Sequence, residues 1–461
     1  MKTLLASSSL LILGLAAAPA LADDLAITIY NNGLALVEDE RSVIFPNGRT
    51  TIELPGVSSQ INAPTVTFQA DGMSIVEQNF DFDLLTPAKL MEKAVGQEIE
   101  IVRINPGTGD ETRETAKVLS VNNGVVVEID GRIEILRDDN LPTRVIFDGV
   151  PENLRARPTL SVMVDSTSAG DRDATLTYLT GGLSWRADYV LLFNEEAEKM
   201  DLQGWATLGN TTDTTFENVR TQLVAGGVDA NQGYNDYDRR YQEGPVRGGG
   251  MEAGNVERIG DNYIYTLPGR TTIASKQTKQ VGFVDASDVD AAKKYEYLTS
   301  GFQTMANPVN ADVRIAFSNS RDAGLGAPLP QGIIRVYAKD AQDRAQFIGE
   351  DNISHVAGGS DISLKIGSAF DVTVQSTQVN RRVLSRKVVE TSMKYVVRNA
   401  RPEPVTLTLR QSGVTGWRME TEVTEESLPH RKPDANSFVW DVDVPAEGET
   451  ELTFTMRQVT R

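Results

Sequence analysis

The sequence predicts an all-β protein built from sandwich-type sheets, and three observations carry that prediction. Apolar and polar residues alternate with period two in one segment after another, as in LAITIY, TTIEL, TVTF, EIEIVRI, ISLKI and VTLTL. An amphipathic helix would instead repeat every three to four residues. The connections agree, because VNNGVVVEIDGRIEIL contains Asn-Gly and Asp-Gly pairs, which tolerate the positive φ angles of tight hairpins. Finally, 461 residues without one cysteine leave stability to a large buried core, with no disulfide or thiolate metal site to supplement it.

From the amino terminus, residues 1–22 place Lys2 ahead of an apolar stretch from Leu4 to Ala18 and end in Ala20-Leu21-Ala22. That is the form of a signal peptide cleaved before Asp23, so the chain is expected to be exported, to the periplasm or beyond. No later run approaches the roughly 18 to 20 apolar residues that a membrane-spanning helix needs. Residues 23–154 read as an amino-terminal β region. One helix interrupts it at TPAKLMEKAVG, where Thr86 caps, Pro87 takes the first helical position and Gly96 stops the turn. Four or five short strands follow within residues 97–141, with the rhythm of a small SH3-like barrel. Residues 155–461 form the main β-sandwich region. Within it, residues 229–261 are rich in Gly, Asn, Asp and Arg and show no period, which predicts a long mobile loop.

A formal net charge of −19 disfavours nucleic acid as a partner, since phosphates would repel the chain unless it carried a concentrated basic patch. The runs NRRVLSRK and PHRKP are short and read as solvated strand edges. Catalytic motifs are absent from the sequence. The two histidines, His355 and His430, lie near polar turns, and neither Gly-x-Ser-x-Gly nor His-Glu-x-x-His occurs. NPGTGD is a hairpin turn rather than a phosphate loop. Carboxylate pairs are frequent, at Asp138-Asp139, Glu195-Glu196 and Glu425-Glu426, and no sequence feature selects one as a glycosidase pair. Asp285, Asp288 and Asp290 are the best oxygen cluster for calcium, but their segment lacks the glycine of an EF-hand loop and reads as a solvated acidic turn. No cofactor is expected.

Two features are candidates for partner binding. In DLQGWATLGN, alternation puts Leu202, Ala206 and Leu208 on one face and Gln203, Trp205 and Thr207 on the other. Trp205 thus shares a polar face, suited to a sugar ring or a partner surface, or to burial by a second domain. In the long loop, Tyr234, Tyr237 and Tyr241 alternate with Asn, Asp and the pair Arg239-Arg240, the composition of adaptable binding loops and also of plain disorder.

In GGLSWRADYVLLF the same alternation gathers Leu183, Trp185, Ala187, Tyr189, Leu191 and Phe193 on a core face, with Arg186 and Asp188 opposite and placed to pair. This stretch, with LQGWATLGNTTDTTFENVRTQLVAGGV, LPQGIIRVYAKDAQDRAQFIGEDNISHVAGG and SFVWDVDVPAEGETELTFTMR, resembles the secreted bacterial proteins of the domain-of-unknown-function 4139 family. The resemblance covers roughly residues 155–461, with a looser match at YNNGLALVEDERSV. Two positions depart from the commoner pattern, Ala187 where the family usually has proline and Thr215-Phe216 where it often has Asp-Trp. The family implies no catalytic residues. Some relatives are labelled mucoidy-inhibitor-like, which implies the cell envelope or surface polysaccharide.

The expectation is a non-catalytic interaction module of the cell envelope with a protein or glycan partner. The alternative is an envelope polysaccharide hydrolase using paired carboxylates. An outer-membrane barrel also fits the signal and the strands, but the carboxy-terminal Arg461 and the charges on both strand faces speak against it.

Overall fold

The computed structural model describes residues 24–460 other than 82, 123, 137–142, 152–153, 228–255, 341 and 415–418. The expected signal peptide, residues 1–22, lies outside the described residues. Strands dominate the remainder, as the alternation requires; the single α-helix among the described residues is Pro87–Lys93. Its Thr86 hydroxyl accepts the N–H of Lys89 at 3.1 Å, and Gly96 follows with φ +84°. Cap, proline and stop thus act at the positions the sequence indicates.

A seven-stranded sheet runs in the order Val256–Ile259, Asn262–Ile273, Phe216–Ala225, Asp24–Tyr30, Leu34–Phe45, Gly170–Gly181, Thr67–Ala70. It faces the first part of a long sheet containing Leu183–Asn194, Lys199–Asn210 and Gly332–Lys339. Between them lies the larger core, with Ile27, Ile29, Val37, Leu176, Tyr178 and Leu223 from one side and Leu183, Trp185, Tyr189, Leu202, Ile334 and Ile315 from the other. Two sheets packed face to face make the sandwich. A second core gathers Tyr295, Tyr395, Leu407, Leu409, Trp440 and Phe454 towards the carboxy terminus.

One strand joins the two cores. Gln277–Thr299, 23 residues long, pairs with Lys199–Asn210 in its first half. It then pairs with Val309–Ser318 and finally, in parallel, with Val405–Gln411. The Asp285–Asp290 segment expected as an acidic turn lies inside this strand. Its turn-like composition reflects a bulge: Asp288 has φ +61°, its N–H bonds to the Asp201 carboxylate at 3.0 Å, and the register with the neighbouring strand slips there.

The short strands after the helix form their own antiparallel sheet in the order Thr143–Ile146, Glu98–Ile104, Glu111–Ser120, Val125–Ile129, Arg132–Leu136. It has a small core of Ile99, Ile101, Ala116, Val118 and Val127. The expected SH3-like closure is not found, since among the described residues no ladder joins Arg132–Leu136 to Thr143–Ile146. An Arg103–Glu134 ion pair reaches across from the second strand to the last instead. The edge of the long sheet is protected in a similar way. Strand Ala345–Ile353 is pressed against Asp361–Ser385 so closely that a Cβ on Gly349 would lie 2.0 Å from the carbonyl oxygen of Ile366. There the Asp351 carboxylate accepts the Lys365 N–H at 2.7 Å, using a side chain to cover an otherwise open edge.

Candidate functional site

Strand Leu183–Asn194 lies between Lys199–Asn210, antiparallel, and Gly332–Lys339, parallel. Its core face is sealed: Trp185 is 6 % exposed and its indole N–H donates to the carbonyl of Val224 in the opposite sheet at 3.1 Å. The outward face is polar, and Asp188 is its centre. Only 6 % exposed, the Asp188 carboxylate accepts the Thr207 hydroxyl at 2.6 Å, Arg186 Nε at 3.1 Å and Arg335 Nη1 at 3.2 Å. Burial alone would push this carboxyl up, but the hydrogen bonds from Thr207 and Arg335 and the two guanidinium charges outweigh it and hold it below the usual carboxylate range. Thr207 also accepts from Gln280 Nε2 at 3.1 Å, and Arg335 reaches Glu350 at 3.4 Å, so four adjacent strands are tied together and a fifth is reached by an ion pair.

Trp205 is registered directly opposite Asp188. It is 36 % exposed on this polar face, as alternation predicts, and its neighbour on the far side is Gly282. A Cβ added to Gly282 would only just touch the ring, at 3.8 Å from Cζ3, so residue 282 leaves that flank of the indole uncovered. Further along, Tyr337 and Phe347 meet edge to face with centroids 5.6 Å apart, and Phe347 is 56 % exposed. The face therefore combines an open indole, an exposed phenyl ring and guanidinium groups already oriented by a buried carboxylate. It can stack and hydrogen-bond a ligand.

The other candidates from the long loop, Tyr234, Tyr237, Arg239, Arg240 and Tyr241, lie outside the described residues. The carboxyl end of that expected loop is ordered, because Val256–Ile259 pairs with Asn262–Ile273 as an edge strand. Its polar sequence, VERI, hid the pairing. His355 accepts the Gln331 N–H on Nδ1 at 3.1 Å, and burial pulls its pKa down. His430 sits 2.9 Å from Glu426 and edge-on to Phe438. Each histidine thus stabilises its own region of the fold. Two aspartates of the calcium candidate hold a lysine instead: Lys199 Nζ lies 2.8 Å from Asp290 and 3.7 Å from Asp288.

Sequence reading missed a cleft of about 1060 Å³ where the two cores meet, lined by Glu195, Lys293, Tyr295, Arg401 and Asp441 among others. Glu195 of the Glu195-Glu196 pair is held there by Lys293 at 3.0 Å and Arg401 at 3.3 Å. No local motif announces it, since its walls come from segments far apart in the chain. The family-like turn NTTDTTFENV has a structural role. Asn210, 2 % exposed, donates to the carbonyls of Thr214, Ile273 and Ala274 and accepts the N–H of Thr212, while Phe216 is buried.

No curated protein matches the chain. The family model described as Domain of unknown function (DUF4139) matches residues 174–458, a span that contains the Asp188 network, Trp205 and the cleft. That span is more than half of the sequence, and the chain belongs to the DUF4139 family.

Proposed function

We propose that this protein is an exported, non-catalytic interaction module of the bacterial cell envelope, periplasmic or secreted, that engages a protein or glycan partner through the outward face around Trp205. The observation that carries this reading is the open flank of the indole beside Gly282. An amphipathic ring with one bare side suits the apolar face of a sugar or a partner's apolar side chain. The surroundings favour binding too. Arg186 and Arg335 are positioned in advance by Asp188, which lowers the ordering cost that association otherwise imposes. The composition of the Tyr234–Tyr241 loop fits a second, adaptable contact.

The alternative, a polysaccharide hydrolase, would need one protonated and one ionised carboxyl across a cleft. Five of the seven carboxylates that line the cleft, all but Glu196 and Glu198, are engaged otherwise. Glu195 and Glu403 pair with Arg401, Asp343 with Lys339, and Asp441 with Arg431. Asp340 is held low by the backbone N–H and side chain of Arg344. These pairings support the binding reading. To test it, a photo-crosslinking residue is placed at Gln203, beside the intact Trp205, and separately at Tyr237, in the native host. One reproducible protein or glycan adduct from either position supports the proposal, and intramolecular products alone from both would overturn it.

A further inference from the structure

Residues 379–387, VNRRVLSRK, end the hairpin formed by Asp361–Ser385 and Val388–Asn399, and all nine are exposed. The stretch holds four cations and no acid, in a chain whose acidic residues outnumber its basic ones by 64 to 45. Arg382 is engaged with the buried Glu390 at 3.0 Å, whereas Arg381, Arg386 and Lys387 have no ion-pair partner among the described residues. Three aliphatic side chains stand among these cations, Val379 at 62 %, Val383 at 64 % and Leu384 at 52 % exposure. Val379 and Leu384 fall where the ladder slips, between Gln378 and Asn380 and between Val383 and Ser385, and are left out of the pairing.

We propose that this hairpin end docks on an anionic phospholipid surface. The sign of the charge selects the partner class, because an otherwise acidic protein presents here three cations without an ion-pair partner among the described residues within seven positions. The exposure selects a lipid layer over a rigid acidic protein. Successive strand residues point to opposite faces, and since every residue from 379 to 387 is open, both faces of the hairpin carry cations and aliphatic groups. A fluid headgroup layer can surround such a tip, the cations meeting phosphates while the aliphatic groups enter the acyl boundary. The carboxy-terminal strand supports the tip, with Thr460 N–H donating to the Lys387 carbonyl at 2.8 Å. This surface is separate from the Trp205 face and stands without it.

The test is flotation of the purified full chain with vesicles of phosphatidylcholine alone and of phosphatidylcholine with an equal part of phosphatidylglycerol. Recovery is expected only with phosphatidylglycerol and should fall as salt is raised. Each cation near such a surface contributes roughly fivefold to partitioning, so the triple variant Arg381→Glu, Arg386→Glu, Lys387→Glu should lose about a hundredfold or more. Leu384→Asp should also weaken recovery, and Trp205→Ala should leave it at the level of the native chain. Melting curves of the variants establish that they are folded. Absence of recovery with phosphatidylglycerol vesicles, or equal partitioning of the triple variant and the native chain, would overturn the proposal.

Discussion

The two cores satisfy the polar ends of their aromatic residues in different ways. In the larger one the partners are backbone groups: Tyr189 donates to the Pro330 carbonyl at 2.8 Å, Tyr265 to Pro328 at 3.0 Å and Trp185 to Val224 at 3.1 Å, and the Tyr178 hydroxyl accepts the Ser58 N–H at 3.2 Å. In the carboxy-terminal one they are side chains, with Tyr395 donating to Gln411 at 3.1 Å and Trp440 to Glu426 at 2.9 Å. Backbone amides do not titrate and carboxylates do. The interior of the larger core should therefore be indifferent to pH, while the smaller one depends on a single carboxylate that His430 also approaches.

The largest expected effect comes from Trp440, fully buried and stacked on Phe454 at 4.4 Å with the rings 2° from parallel. Trp440→Ala should cost about 3–5 kcal/mol in urea denaturation. Trp205→Ala, at a partly exposed position, should stay within about 1 kcal/mol, and comparable losses at the two tryptophans would contradict their assignment to core and surface. Next is Asp188→Ala, expected to cost about 1–3 kcal/mol because Thr207 and two guanidinium groups lose their shared acceptor.

Glu426→Gln should cost about 1–2 kcal/mol and should act on the acid limb of the stability curve. Burial would raise the Glu426 carboxyl, but the bonds from Trp440 and His430 hold it below the usual range. A carboxyl held low in the folded chain contributes stability that is present above its unfolded pKa, about 4.3, and is lost as pH falls through the folded value. The Gln variant should therefore lose less stability than the native chain between neutral and acidic pH. Tyr189→Phe should cost about 1 kcal/mol, with no change in pH dependence. A pH-dependent loss in that variant would break the contrast between the cores.

Much of this arrangement was legible in the sequence because alternation is a local property. It placed Trp185 inside, Arg186 and Asp188 outside, and Trp205 on the polar face, and all four lie where it put them. It also anticipated the Arg186–Asp188 pair, although as an exposed contact. The burial of Asp188 was not legible, since it depends on Arg335, 147 residues away on a strand that pairs in parallel. Composition misled where a strand bends: three aspartates around a bulge look like a turn, and only the partner strand reveals the continuity. The cleft between the cores has the same cause, because its walls are set by which strands pair.

Asp24–Tyr30 occupies an interior place in its sheet, between Leu34–Phe45 and, in parallel, Phe216–Ala225. Thr28 meets Gln222 across 194 residues of chain. This strand therefore waits until Gln222, 194 residues further along, has been made before one of its edges can be closed. Contacts so distant in sequence slow folding and keep apolar strand edges open in the meantime. The amino-terminal half therefore cannot complete its sheet ahead of the rest.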